Sequence, residues 1–226
     1  MKTKLILALL IIPILLITGC VYDPIDNDVV INGDLTVSGN TTTNWIEITH
    51  SGWDDLRFPV QALKINDARP PVWSDIITPG QTLAFEDKAI ALQEEQVSFI
   101  VQLPHSWNEG TTLYFHIHYA YPSSIPDTRS TWTLEYDWKN EGGLFGLGTT
   151  TITCYTDYSD ANVLKSQRVY FPAIDGTGKT LSSIIVCSLT RHSSDVSDNY
   201  TDDVNLLEID VHYQINTFGS YTQENK

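Results

Sequence analysis

Basic residues are scarce in this chain: 13 Lys and Arg stand against 28 Asp and Glu in 226 residues, a formal net charge of −15. A surface of that sign repels phosphate backbones, which excludes nucleic acid as a partner. It also leaves no basic patch to hold anionic lipid by charge alone. Cysteine is scarcer still, at three residues, too few for a disulfide-built scaffold. Helical periodicity is lacking, with Asp87–Glu95 the one short candidate. There is no G-x-S-x-G, no H-E-x-x-H and no carboxylate pair placed for glycoside hydrolysis. Long apolar runs are missing too, apart from one.

That run is Leu5 to Ile17, preceded by Lys2 and Lys4 and closed by Ile17-Thr18-Gly19-Cys20. It is too short to cross a ~30 Å hydrocarbon core as a helix and reads as a secretory signal over residues 1–20. Its ending resembles a bacterial lipobox, in which the cysteine is diacylated and becomes the mature N-terminus. The resemblance implies a lipid anchor at Cys20 and an exported protein held at the cell surface or periplasmic face. A multiply acylated cysteine anchors stably where a single chain does not. The signal holds two basic and no acidic residues, so the remainder carries eleven basic against 28 acidic side chains. Cys154 and Cys187 are then left over, in the strand-like runs Thr150–Tyr155 and Ser183–Leu189. They either form a cross-strand disulfide or are two separate buried thiols.

Residues 21–44 read as a tether and a β stem. Val29–Asn40 holds two short β runs broken at Asn32-Gly33 and Ser38-Gly39, with too little apolar surface for a core of its own. The phrase from Ile31 to Thr43 resembles the stem repeats of trimeric phage fibres and tailspikes, which implies a homotrimer. An ordinary hairpin is the alternative. Residues 45–226 read as one β domain. Leu113, Phe115, Ile117, Tyr119 and Tyr121 fall on one strand face, with Tyr114, His116 and His118 opposite. Trp132, Leu134, Tyr136 and Trp138 share a face, as do Leu207, Ile209, Val211, Tyr213 and Ile215. One apolar face per strand, over eight or more strands, predicts an all-β antiparallel sandwich of jelly-roll type.

Several phrases of this domain belong together: Trp53-Asp54-Asp55-Leu56-Arg57-Phe58-Pro59, Leu103-Pro104-His105, Glu109-Gly110-Thr111, His116-Ile117-His118-Tyr119, Leu134-Glu135-Tyr136 and His212-Tyr213-Gln214. They resemble a domain found in phage and prophage genomes beside structural genes, over roughly residues 53 to 226. The resemblance implies a virion-associated or fibre-tip β domain and brings no catalytic motif with it.

Three constellations carry candidate chemistry. Gly110, five residues and His116-x-His118 match the opening of the cupin motif, and His212 matches its closing piece. Two histidines at alternate strand positions share a face, as two ligands of one metal must. Glu135, Glu208 and Asp210 are candidate oxygen ligands, although Pro122 and Ser123 stand where a cupin carries its glutamate. Alternatively, these imidazoles serve a polar sheet face or an oligomer interface. Trp73 and Trp107 sit in loop-like segments near carboxylates, as sugar-stacking rings do, or else they plug the sandwich ends. Ala173–Thr180 mimics a phosphate loop, but the next run is β-branched, so Asp175-Gly176-Thr177-Gly178 reads as a hairpin turn. The sequence thus predicts a non-catalytic adhesion or recognition protein, its ligand a carbohydrate or another host-surface group taken through loops. A cupin-like metalloprotein and a structural virion component are the alternatives.

Overall fold

The structure is a computed structural model that describes residues 20–22, 29–31, 47–87, 94–157 and 163–220. The signal preceding Cys20, the stem beyond Ile31 and the interior of the Asp87–Glu95 segment lie outside the described residues. The chain separates into two compact units, residues 1–44 and residues 45–226. In the first, β1 (Cys20–Tyr22) pairs antiparallel with β2 (Val29–Ile31), Cys20 facing Ile31. The Val29–Ile31 run therefore finds a ladder partner within its own chain.

The second unit is an antiparallel β-sandwich. Its strands begin with β3 (Glu47–Pro59), β4 (Lys64–Ile65), β5 (Val72–Ser74) and β6 (Thr82–Phe85). There follow β7 (Gln96–Gln102), β8 (Tyr114–Ala120), β9 (Arg129–Lys139) and β10 (Thr150–Asp157). The last three are β11 (Gln167–Tyr170), β12 (Ile184–Arg191) and β13 (Val204–Thr217). One sheet runs β10-β9-β12-β7-β4; the other runs β11-β8-β13-β6-β5, with β3 also paired to β13. From β6 onward only β9 and β10 are sequential neighbours in one sheet. Every other connection crosses between sheets, which gives the jelly-roll character.

Alternation decides which side chains meet between the sheets. Phe115, Ile117 and Tyr119 of β8 face Trp132 and Leu134 of β9, Val97 and Val101 of β7, and Ile185, Cys187 and Leu189 of β12 across one continuous core. Phe85 meets Trp132 edge-on at 4.8 Å. The expected face of β13 changes phase: Ile209, Val211 and Tyr213 are buried, but Leu206 replaces Leu207 in the core. The reason is a bulge between Leu206 and Glu208 in the pairing with β8, which inserts one extra residue and flips the alternation.

Cys154 and Cys187 form no disulfide; both are free and buried. Cys154 pairs with Trp132 and Cys187 with Tyr136, so β9 stands between their strands. Two strand spacings are about 9.6 Å, beyond the ~7 Å Cα limit of a disulfide. Burial pushes both thiols up from their ordinary value. The Asp175–Gly178 segment is a turn but not a hairpin, since β11 and β12 belong to different sheets. Asp175 Oδ1 accepts from Thr177 N and Oγ1. Gly176 packs so close to the Thr111 carbonyl that a Cβ would sit 2.2 Å from it.

The largest buried charge is structural. All the guanidinium nitrogens of Arg191 are engaged: Nε and Nη2 reach the two oxygens of Asp198 at 3.1 Å, and Nη1 and Nη2 reach the carbonyls of Phe85, Asp202 and Tyr200. This fork ties the loop after β12 to the end of β6.

Candidate functional site

The site lies on the outer face of the six-stranded sheet, where β11, β8, β13 and β3 pair in that order. Register places Tyr170 beside His116, His116 beside Asp210, and Asp210 beside Arg57 in one cross-strand row. A second row runs Arg168, His118, Glu208, and a third joins Tyr114, His212 and Asp55. The bulge at Leu207 sets this match, because it brings Glu208 and Asp210 into phase with His118 and His116. These rows line a cavity of about 330 Å³ bounded by Asp55, Arg57, His116, His118, Arg168, Glu208, Asp210 and His212. Two of the five arginines of the chain stand here.

At the floor, three atoms meet. His116 Nε2 lies 3.0 Å from His118 Nε2, and each lies 3.1 Å from Asp210 Oδ2. His116 and Asp210 are buried, and His118 opens partly to solvent. His116 Nδ1 and Asp210 Oδ1 have no hydrogen-bond partner. Burial lowers the pKa of His116 below its ordinary value against the opposing pull of Asp210, which favours the neutral ring. Burial, seconded by the Asp210 charge, raises that of Glu208. His116, His118 and Asp210 can thus offer one ligand atom each to a metal ion.

His212 comes near without joining them. Its ring centroid is 4.6 Å from that of His116, but its Nε2 binds Asp55 Oδ1 at 2.9 Å. Asp210 takes the place that the cupin-like pattern gave to His212. Glu135 is on β9, in the other sheet, and accepts from Thr149 Oγ1 at 2.5 Å.

Around the rim the face is aromatic. Trp53 is 52% exposed, and its ring centroid lies 5.6 Å from that of Tyr114. Tyr170 is exposed and packs against His116 at 4.8 Å, with the Arg168 guanidinium 5.6 Å over its ring. Neither Trp53 nor Tyr170 stands out in the sequence as a site residue; only the alternation of β3 and its register with β13 put Trp53 beside Tyr114.

The two tryptophans expected to bind ligand are placed differently. Trp107 is fully buried, 5.8 Å from Trp138 centre to centre, with Nε1 donating to Thr111 Oγ1 at 3.0 Å. Its segment folds back over the sandwich end, bridging to Ile215, so the ring is a core plug and not a stacking platform. Trp73 is 43% exposed on the edge strand β5, away from the cavity lining.

On the opposite sheet, Thr133 Oγ1 lies 2.6 Å from His192 Nε2, and His192 Nδ1 lies 2.5 Å from Glu94 Oε2. The spacing matches a nucleophile, base and acid relay. Thr133, however, lies mid-strand between β10 and β12, where its amide belongs to the ladder and not to an oxyanion hole.

No family model and no curated protein matches this chain. Among solved structures it is similar to a family 35 carbohydrate-binding module from Clostridium thermocellum, at 9% identity and a TM-score of 0.39, over 74% of this chain and 99% of that one. It is similar to a C-terminal family 22 carbohydrate-binding module of the same organism, at 11% identity and a TM-score of 0.37, over 70% and 88%. An Arthrobacter globiformis isomalto-dextranase complexed with panose matches at 14% identity and a TM-score of 0.39, over 70% of this chain. This chain spans only 23% of that enzyme. Scores this low transfer no property of those proteins to this one.

Proposed function

We propose that this is an exported recognition protein whose β-sandwich binds a carbohydrate on the outer face of the six-stranded sheet. The observation that carries the reading is that exposed Trp53, Tyr114 and Tyr170 share one sheet face with a cavity lined by Asp55, Arg57, Arg168 and Glu208. A sugar ring offers apolar C–H faces to aromatic rings and hydroxyls to charged side chains, and this face supplies both. Nothing in the reading requires catalysis. Anchoring by a lipid on Cys20, display on a cell surface or a virion, and trimerisation through the stem are parts of the proposal supported by the sequence alone.

A glycan array with the purified chain tests it. Trp53→Ala and Tyr114→Ala should each weaken binding about fivefold or more, the worth of ~1 kcal/mol of ring contact. Trp73→Ala should leave it unchanged. Unaltered binding in both rim variants, with their folds intact, would move the ligand to another surface.

A further inference from the structure

We infer that His116, His118 and Asp210 hold one divalent first-row transition-metal ion, and that its open coordination positions face the cavity and contact the ligand. The second half of this statement rests on the recognition reading above; the first stands on the geometry of the three side chains.

The donor atoms already form a near-equilateral triangle of 3.0, 3.1 and 3.1 Å. Adjacent ligands of a tetrahedral ion with bonds near 2.0 Å are about 3.3 Å apart, and those of an octahedral ion with bonds near 2.15 Å about 3.0 Å apart. The triangle fits one face of either polyhedron with movements of a few tenths of an ångström. Two imidazoles and a carboxylate make a donor set for Zn(II), Fe(II), Co(II) or Ni(II), rather than the all-oxygen shell of Ca(II).

The surroundings point the same way. Asp210 is 5% exposed, and its second oxygen lacks a partner. A buried carboxylate with an unpaired oxygen is costly unless a cation complements it. His212 is tied to Asp55 and leaves the remaining positions of the ion to the cavity side. A protein-bound ion with three protein ligands on one side keeps room for solvent or a ligand group. A vicinal diol or a carboxylate of a saccharide has the oxygen donors to fill it.

The test uses the tag-free chain, stripped with EDTA and dialysed, titrated by calorimetry with Zn(II) alone and by absorption with Co(II) alone. We expect one equivalent to bind, Co(II) to develop visible d–d bands, and the melting temperature to rise with Zn(II). His118→Ala removes the most exposed ligand; it should keep the fold by circular dichroism and weaken Zn(II) binding at least about 100-fold. His212→Ala should retain the ion. Absence of binding by the folded wild-type chain, or binding unaffected by His118→Ala, overturns the inference. The glycan array run with and without EDTA separates the two readings. Metal binding with an empty array leaves the ion site standing and removes the recognition reading. Glycan binding by a chain that takes up no metal does the reverse.

Discussion

His212 donates from Nε2 to Asp55 Oδ1 at 2.9 Å, and this bond separates it from the His116, His118 and Asp210 cluster one residue pair away. The two partners lie on β13 and β3, opposite each other in register, so the contact is a cross-strand pair on an outer sheet face. Both side chains are about a quarter to a third exposed. Asp55→Asn and His212→Ala should therefore each lower stability by less than about 1 kcal/mol in chemical denaturation. A loss of several kcal/mol would mean that β3 depends on this pair for its docking.

Trp107 should behave as a core residue. Its ring is fully buried against Trp138, and its Nε1 is bonded to Thr111. Trp107→Ala should destabilise the sandwich by about 3–5 kcal/mol, read from the shift of the urea midpoint. Trp107→Phe, which keeps most of the volume, should cost less. If Trp107→Ala left stability unchanged while abolishing ligand binding, the ring would belong to a binding site after all.

The alternation of Leu113 through Tyr121 was legible from residue order alone, because a strand with one apolar face carries a period of two. It put His116 and His118 on one face, and Asp210 was visible as an oxygen donor in the last strand. Four things were not legible. The pairing of β3 with β13 joins residues 149 to 170 positions apart, from Pro59 with Glu208 to Glu47 with Thr217, and no local pattern announces it. The bulge at Leu207 carries no glycine to mark it, yet it sets the phase of Glu208 and Asp210. The segment His105–Gly110 has the composition of a surface loop, but Trp107 N donates to Pro104 O and Asn108 N to Gln214 O, which fold the tryptophan inward. The strand-like surroundings of Cys154 and Cys187 were plain, but β9 between them was not, and sheet order decides whether a disulfide is possible.

Alkaline pH should destabilise this fold, and Tyr213 offers a way to see it at one position. Burial raises the pKa of Tyr119, Tyr121, Tyr136 and Tyr200, and those of the Cys154 and Cys187 thiols. Tyr213 is pushed up from 10.0 to about 12, first by burial and then by Asp54, whose Oδ2 accepts from its hydroxyl at 3.0 Å. An unfolded chain releases these protons near the ordinary values, whereas the folded one retains them, so the unfolded state binds fewer protons and stability falls as pH rises. For Tyr213 the contribution is complete below pH 10 and is lost as pH climbs towards 12, at up to about 1.4 kcal/mol per pH unit. Tyr213→Phe removes that titration along with a hydrogen bond worth about 1 kcal/mol. The variant should be less stable than the wild type at pH 7, and the gap should close between pH 10 and 11 in urea unfolding curves. Parallel stability curves for the two proteins across that range would show that the Tyr213 hydroxyl ionises in the folded chain as freely as in the unfolded one.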